Sequence, residues 1–442
     1  MNLQNIATIL SQSHSANTEI TAICTDSRQI KPGNLFVAIE GEHFDGHLFV
    51  KEVEEKGASA VIVKKRIAGV FIPQFVVVDP LMALAQIASA HRKEVRCPTI
   101  ALTGSNGKTS VKEMISSILP PPSHATKGNL NNHIGAPLSV LALNAEHRYA
   151  VFELGANHPG EIAHTVAVVK PDVALINNIA PAHVEGFGSI EGVARAKGEI
   201  YQGLEQTGIA VVNDDDHYAH FWDDILLDKK IIRFSLDHTA DIYTQDVRLD
   251  LQGCGQFTVI FPSGHIDLQL QVPGLHNIRN ALAAAACCYA LGISLADIEQ
   301  GLKQFTGVKG RMTMLTGKNQ STIIDDTYNA NLRSVLAGLE VLAKRTGDKI
   351  FVFGDMGELG DWATEHHEEV GVAARRLGIN QLLTCGAYSK LTSQAFGNGG
   401  QHFASQDDIV HFLSNKLSSN TTVLVKGSRS SAMEKIVQKL LN

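Results

Sequence analysis

The sequence predicts an α/β protein of three domains: a small α/β domain, a central phosphate-loop domain with a mainly parallel sheet, and a C-terminal Rossmann-like domain. Three observations carry this expectation. A chain of 442 residues, at about 150 per domain, has room for three. Short, nearly continuous apolar runs recur between helix-like stretches, as in parallel strands covered on both faces. Hydrophobic residues at 44% against charged residues at 19% supply a sizeable core and exclude an intrinsically disordered chain.

The first domain is expected over residues 1–80, with β-like runs at 35–39, 60–63 and 75–78 and one helix near 50–56. A helix over 81–94 then leads to Cys97-Pro98, where proline stops and restarts the chain. The central domain, 81–310, opens with a strand at 99–102, a glycine turn and a helix at 109–119. Its later strands fall at 149–154, 173–178 and 209–213. Alternating residues around Pro262-Ser263-Gly264 predict a hairpin within 241–272. From Arg311 to the end, strands at 322–325, 350–353, 382–385 and 423–425 alternate with helices, the first of them opening a doubly wound sheet.

Thirty-eight basic against forty-five acidic residues give a net charge of -7, which argues against nucleic acid or anionic lipid as a partner. One locally basic pocket for an anion remains compatible with that balance. The six cysteines are scattered, with no C-x-x-C pair, so reduced and mostly buried thiols are expected. The first twenty residues carry no charged leader followed by an apolar core. The apolar stretch 280–296 is alanine-rich, broken by Gly292 and Ser294, and reads as a buried helix. A soluble, cytoplasmic protein is expected.

The strongest chemical signal is Thr103-Gly104-Ser105-Asn106-Gly107-Lys108-Thr109, followed by Ser110, between a predicted strand and a predicted helix. Such a turn curls backbone N–H groups around phosphate oxygens, and the helix N-terminus adds its dipole. Lys108 suits β- and γ-phosphates and Thr109 suits magnesium, although Leu102 stands where G-x-x-x-x-G-K-[ST] has its first glycine. Glu153 ends one later strand and His183 follows another, so both point to the same crevice at the strands' carboxyl ends. Taken singly, each is more often a surface or structural residue. Lys197 reads as a solvated lysine on a helix capped by Ser189. Asn277 and Asn280 suit an adenine edge but read first as capping residues before a helix. Arg311 can reach a γ-phosphate across the domain boundary, Asp325-Asp326 suits ribose hydroxyls, and Lys426-Gly427-Ser428-Arg429 suits a substrate anion.

Together these residues resemble the Mur ligase family over essentially the whole chain. The resemblance is carried by Thr25-Asp26-Ser27-Arg28, the run 41–47, Thr103 to Thr109, Gly128-Asn129-Leu130-Asn131-Asn132 and the run 153–162. It continues through 183–188, Ala196-Lys197-Gly198-Glu199, 354–360 and 426–429. It implies ATP as cofactor and a first domain that binds a UDP end, with Ser27 and Arg28 near the nucleotide. It implies one magnesium held by Thr109 and Glu153, a second held with the help of His183, and a carbamylated Lys197. Asn277, Arg311 and Asp326 match the family's adenine, γ-phosphate and ribose contacts, and Asn131 and Asn132 look like substrate-side contacts.

The motifs are most similar to the branch that joins D-alanyl-D-alanine to a UDP-N-acetylmuramoyl-tripeptide through an acyl phosphate, and a monomer is expected. The branch that adds the third amino acid often carries Asp-Asn-Pro-Arg, a tetrapeptide this chain lacks. Folylpolyglutamate synthases lack the first domain. A nucleotide-dependent switch without ligase activity needs only the phosphate loop, whereas Glu153, His183 and Lys197 surround this one. Leu332 departs from the family's usual proline after Asn-Ala-Asn, and Pro120-Pro121-Pro122 is a further departure.

Overall fold

Among the residues described by the computed structural model, strands form four sheets, and three of these are the frames of successive stretches of chain. The description covers residues 1–13, 17–41, 44–181 and 184–441, with the backbone alone at Val184 and Glu185. The first sheet is parallel, in the order Ile23–Cys24, Leu35–Val37, Ala60–Val63 and Gln74–Val76. Leu35, Val37, Ala60 and Ile62 turn one face of it toward Leu3 and Ile6 of the first helix.

Helix Pro80–Glu94 serves two cores. Asp79 caps it by accepting from Leu81 N at 2.8 Å, and proline at its start needs no N–H there. Ala83, Leu84 and Ile87 pack into the first core, while Ala85 and Ala88 pack into the second.

The central sheet has nine strands. From edge to edge they are Gly264–Pro273, Cys254–Phe261, Ile242–Leu249, Lys230–Ser235, Ile209–Asn213, Val173–Ile176, Thr99–Thr103, Tyr149–Glu153 and Ser123–Ala125. The expected hairpin is present as the antiparallel pair closing at Phe261 and Gly264. The other expected strands of this domain sit side by side and parallel, their apolar runs buried on both faces. Helix Leu275–Ala290 lies beneath them against the phosphate-loop helix, and Ala281 to Ala286 are fully buried. Small side chains let the two helices and the sheet approach closely.

The third sheet runs Thr313–Thr316, Thr322–Asp326, Thr421–Lys426, Asp348–Phe353, Gln381–Thr384 and Gly400–His402. Thr322–Asp326 is therefore the second strand of this sheet, a correction: Thr313–Thr316 precedes it and pairs antiparallel at the edge. That strand is half-buried and mixed in character, so it offers no apolar run to read. The remaining pairings are parallel, giving the expected α/β class. All six cysteines are free thiols, four buried and two half-buried. No helix among the described residues is long and apolar enough to cross a membrane.

Candidate active site

Strand register places the first chemical groups. Thr99–Thr103 lies between Val173–Ile176 and Tyr149–Glu153, with Thr103 beside Ile176 and Leu102 beside Glu153. The carboxyl ends of these three strands thus meet at one edge, and the Gly104–Gly107 turn departs from it. Gly107 has φ +78, and a Cβ there would lie 2.5 Å from Asn280 Oδ1 and 2.6 Å from Asn177 Nδ2. Only glycine satisfies both constraints. Lys108 begins helix Lys108–Ile118 and folds back to donate to Gly104 O at 2.7 Å. Burial lowers the pKa of this ammonium, the nearby Glu153 charge opposes that, and Arg311 adds to it.

Asparagines frame the turn. Asn106 N donates to Asn178 Oδ1 at 3.0 Å, and Asn177 Nδ2 donates to Asn106 O at 2.9 Å. Asn177 Nδ2 also donates to Asn280 Oδ1 at 3.1 Å, and Asn280 Nδ2 donates to Asn277 Oδ1 at 3.2 Å. Ser105 spends its hydroxyl on Ala180, donating to its carbonyl at 2.9 Å.

Glu153 is buried. Its Oε1 accepts from Asn131 Nδ2 at 2.8 Å, and its Oε2 has no hydrogen-bond partner. Thr103 Oγ1, Asn106 Nδ2 and Arg311 Nε are likewise buried and unpartnered. A buried polar atom left this way costs about 1–3 kcal/mol, so their clustering around one crevice marks a place built for a ligand. Asn132 is exposed, and its Oδ1 accepts from Gly135 N at 2.8 Å at the start of helix Gly135–Leu141.

Lys197 corrects the solvated-lysine reading: it is 1% exposed on helix Ile190–Gln202, which Ser189 caps by accepting from Gly192 N. Its ammonium lies 6.0 Å from the Phe187 ring. Burial pushes its pKa well below the usual lysine value, and the positive charge of Lys108 pushes the same way.

The third sheet closes the crevice from the opposite side. Asn331 Nδ2 donates to Asn106 Oδ1 at 2.6 Å, and Arg333 Nη1 donates to Ile179 O at 3.2 Å. Between the two sheets is a cavity of ≈ 410 Å³ lined by Asn106, Gly107, Ser110, Asn277, Arg311 and Asp326 among others. Asn277 corrects the capping reading, because Gly274 precedes helix Leu275–Ala290 and Asn277 lies inside it, donating to Pro273 O at 2.8 Å. Asp326 Oδ2 accepts from Lys426 Nζ at 2.5 Å. Lys426 is 1% exposed and also donates to Asn329 O, so the ammonium expected to meet a substrate anion meets Asp326.

The comparisons with known proteins cover the same three stretches. The description "Mur ligase family, catalytic domain" matches residues 19–92, "Mur ligase middle domain" matches 102–288, and "Mur ligase, glutamate ligase domain" matches 310–429. The UDP-N-acetylmuramoyl-tripeptide–D-alanyl-D-alanine ligase of Escherichia coli (strain K12) is 42% identical over 96% of this chain and 94% of its own. The chain belongs to the Mur ligase family. Among solved structures, MurF from Acinetobacter baumannii superposes with a TM-score of 0.93 at 37% identity, covering 99% of this chain and 98% of that one. A MurF ligase from Thermotoga maritima in complex with ADP gives a TM-score of 0.83 at 26% identity, covering 96% and 97%.

Two expected Mur ligase residues stand apart from the crevice. Ser27 is buried in a short turn capped by Asp26, and its carbonyl accepts from Lys56 Nζ at 2.9 Å. Arg28 is exposed and forks onto Asp26, Nε to Oδ1 at 2.9 Å and Nη2 to Oδ2 at 2.8 Å. His183 lies outside the described residues. Thr109 sits in the first turn of the phosphate-loop helix. The sequence reading missed Asn177, Asn178, His276 and Arg333, all of which line the cavity. The adjacent asparagines at the end of a predicted strand were a usable signal; Arg333 offered none.

Proposed function

We propose that this chain is an ATP-dependent amide ligase joining D-alanyl-D-alanine to the terminal carboxylate of a UDP-N-acetylmuramoyl-tripeptide. The reading draws on the Escherichia coli relative named for that reaction and on the relative solved with ADP. The observation that carries it is the crevice itself. Buried, unpartnered atoms of Glu153, Asn106 and Arg311 converge there beside Lys108 and Lys197.

ATP takes the cavity between the second and third sheets, with adenine toward Asn277, ribose toward Asp326 and phosphates along Gly104 to Ser110. The carboxylate attacks the γ-phosphorus; the new O–P bond forms as the bond to the bridging oxygen breaks, giving an acyl phosphate and ADP. Lys108 and Arg311 offset the repulsion between the two anions that must meet. The neutral amine of D-alanyl-D-alanine attacks the acyl carbon, and the C–N bond forms as the C–O bond to phosphate breaks. The phosphate leaves with the electron pair and takes up the amine's proton. Contact between the third and second sheets, through Asn331 and Arg333, excludes water from the acyl phosphate.

The residues present fit magnesium, because Glu153 offers a free anionic oxygen and Thr109 a hydroxyl on the helix that begins with Lys108. Thr109 and Glu153 would hold one ion, and His183 belongs to a second. When bound, magnesium supplies charge neutralisation on the phosphate oxygens. Lys197 fits a carbamate, since that reaction needs the neutral amine its burial favours, and the product anion would sit near Lys108.

Ser27 and Arg28 belong to the UDP end, and Asn131 and Asn132 face the tripeptide side. Division at about residues 80 and 310 gives these roles to three domains, in a monomer working in the cytoplasm. ADP release tests the reading: it should require both the UDP-muramoyl-tripeptide and D-alanyl-D-alanine. Equal release without either substrate, or with single amino acids, would remove it.

A further inference from the structure

We infer that Tyr328 is a positioning residue for Arg311, holding the guanidinium by its face so that its N–H edge is left for a phosphate. The inference rests on the γ-phosphate reading of Arg311 given above. Arg311 Cζ lies 4.1 Å from the centroid of the Tyr328 ring. The guanidinium's Nε is buried and has no hydrogen-bond partner. The ring covers one face of it.

The choice of partner has a chemical consequence. A carboxylate would occupy the guanidinium's N–H edge and cancel its charge, the two properties a phosphate needs. An aromatic face attracts the cation through the ring quadrupole, keeps the charge, and leaves every in-plane N–H directed outward. Arg311 also lines the cavity with Asn106 and Gly107, so this edge is presented beside the phosphate loop.

The backbone fixes the pair in register. Tyr328 N donates to Gly310 O at 3.1 Å, and Arg311 N donates to Val308 O at 2.9 Å. Gly310 has φ +74, and a Cβ there would lie 3.4 Å from both Tyr328 Cβ and Tyr328 N. A side chain would be strained by that φ and would crowd the tyrosine. Next to Tyr328, Thr327 is tied to Asp325 through its hydroxyl at 2.6 Å. The ring position therefore follows from the chain path at the end of strand Thr322–Asp326. Tyr328 itself is half-buried, so its replacement opens no large core cavity.

The test is a double-mutant comparison on the full chain, measuring kcat, KM for ATP and the unfolding midpoint. Tyr328→Leu and Tyr328→Gln, which both lack a π face, should each lower kcat about tenfold. Tyr328→Phe should restore most of that loss. Arg311→Lys should lower kcat about a hundredfold, and adding Tyr328→Leu to it should cost nothing further. An equal loss from Tyr328→Leu in both backgrounds overturns the inference, as does a Tyr328→Phe variant as impaired as the leucine one. Full kcat in Arg311→Lys overturns the Arg311 reading, and the role given to Tyr328 with it.

Discussion

Asn131 donates its side-chain amide to one oxygen of Glu153 at 2.8 Å, while the other oxygen of that carboxylate is buried with no partner. The amide fixes the plane of the carboxylate and leaves one anionic oxygen unbonded. This is how an outer partner orients a metal ligand. Asn131→Ala should therefore raise the magnesium concentration needed for half-maximal ADP release by about tenfold, with a smaller effect at saturating magnesium. Glu153→Gln, which keeps the shape and removes the charge, should lose activity at any magnesium concentration. A magnesium titration of both variants checks this, and an unchanged midpoint in Asn131→Ala would remove the orienting role.

Lys197 makes a prediction whose sign follows from its surroundings. Burial and the charge of Lys108 hold its pKa well below 10.5, so the folded chain favours the neutral amine where the unfolded chain carries a proton. The unfolded state then binds more protons, and stability rises with pH from the depressed folded value up to the ordinary lysine value. In buffer freed of carbon dioxide, Lys197→Met should unfold at a higher temperature than the unsubstituted chain near pH 7. That gap should narrow by about pH 10. Bicarbonate should raise the midpoint of the unsubstituted chain and leave Lys197→Met unmoved. Lys197→Ala should lose ligase activity and regain part of it with a small carboxylic acid.

Much of this site was legible because its signals are local. The apolar run Thr99–Thr103, the glycine turn and the helix after it lie within twenty residues, and Glu153 ends another apolar run. What escaped was set by distant chain. Lys197 is charged and sits on an amphipathic helix, so it reads as solvated; Phe187 and Lys108, which make its environment, come from other elements. Lys426 reads as an anion receptor until Asp326 is seen beside it in register on the neighbouring parallel strand. Ser123–Ala125 is three residues long with a histidine at its centre, so it carries no strand signal of its own.

Asn331 does two things with one side chain. Its Oδ1 accepts from Ser334 N at 3.0 Å and caps helix Leu332–Ala343, while its Nδ2 donates to Asn106 Oδ1 at 2.6 Å. Aspartate caps a helix as well as asparagine does but has no hydrogen to donate. Asn331→Asp should keep the unfolding midpoint and weaken the docking of the third sheet on the phosphate loop. A lost hydrogen bond of about 1 kcal/mol predicts a roughly fivefold fall in kcat/KM for ATP. Asn331→Ala should lose stability as well. Steady-state kinetics beside thermal unfolding separates the two functions, and equal kinetics for Asn331→Asp and the unsubstituted chain would dismiss the latch.

Glu199 clamps the helix that carries Lys197. Its Oε1 accepts from Gly160 N at 2.8 Å and its Oε2 from Ala163 N at 2.9 Å, at the start of helix Glu161–Val169. A carboxylate there satisfies two backbone N–H groups and meets the positive end of the helix dipole. Glutamine can accept through one oxygen only, so unfolding midpoints should fall in the order Glu, Gln, Ala. The alanine variant should lose about 2 kcal/mol. Lys197 lies two residues earlier on the same helix, so Glu199→Ala should also lower kcat. Small carboxylic acids should not restore that loss, because the lysine they replace is still present. Rescue of Glu199→Ala to the same degree as Lys197→Ala would mean that the clamp controls whether the lysine is modified rather than where it sits.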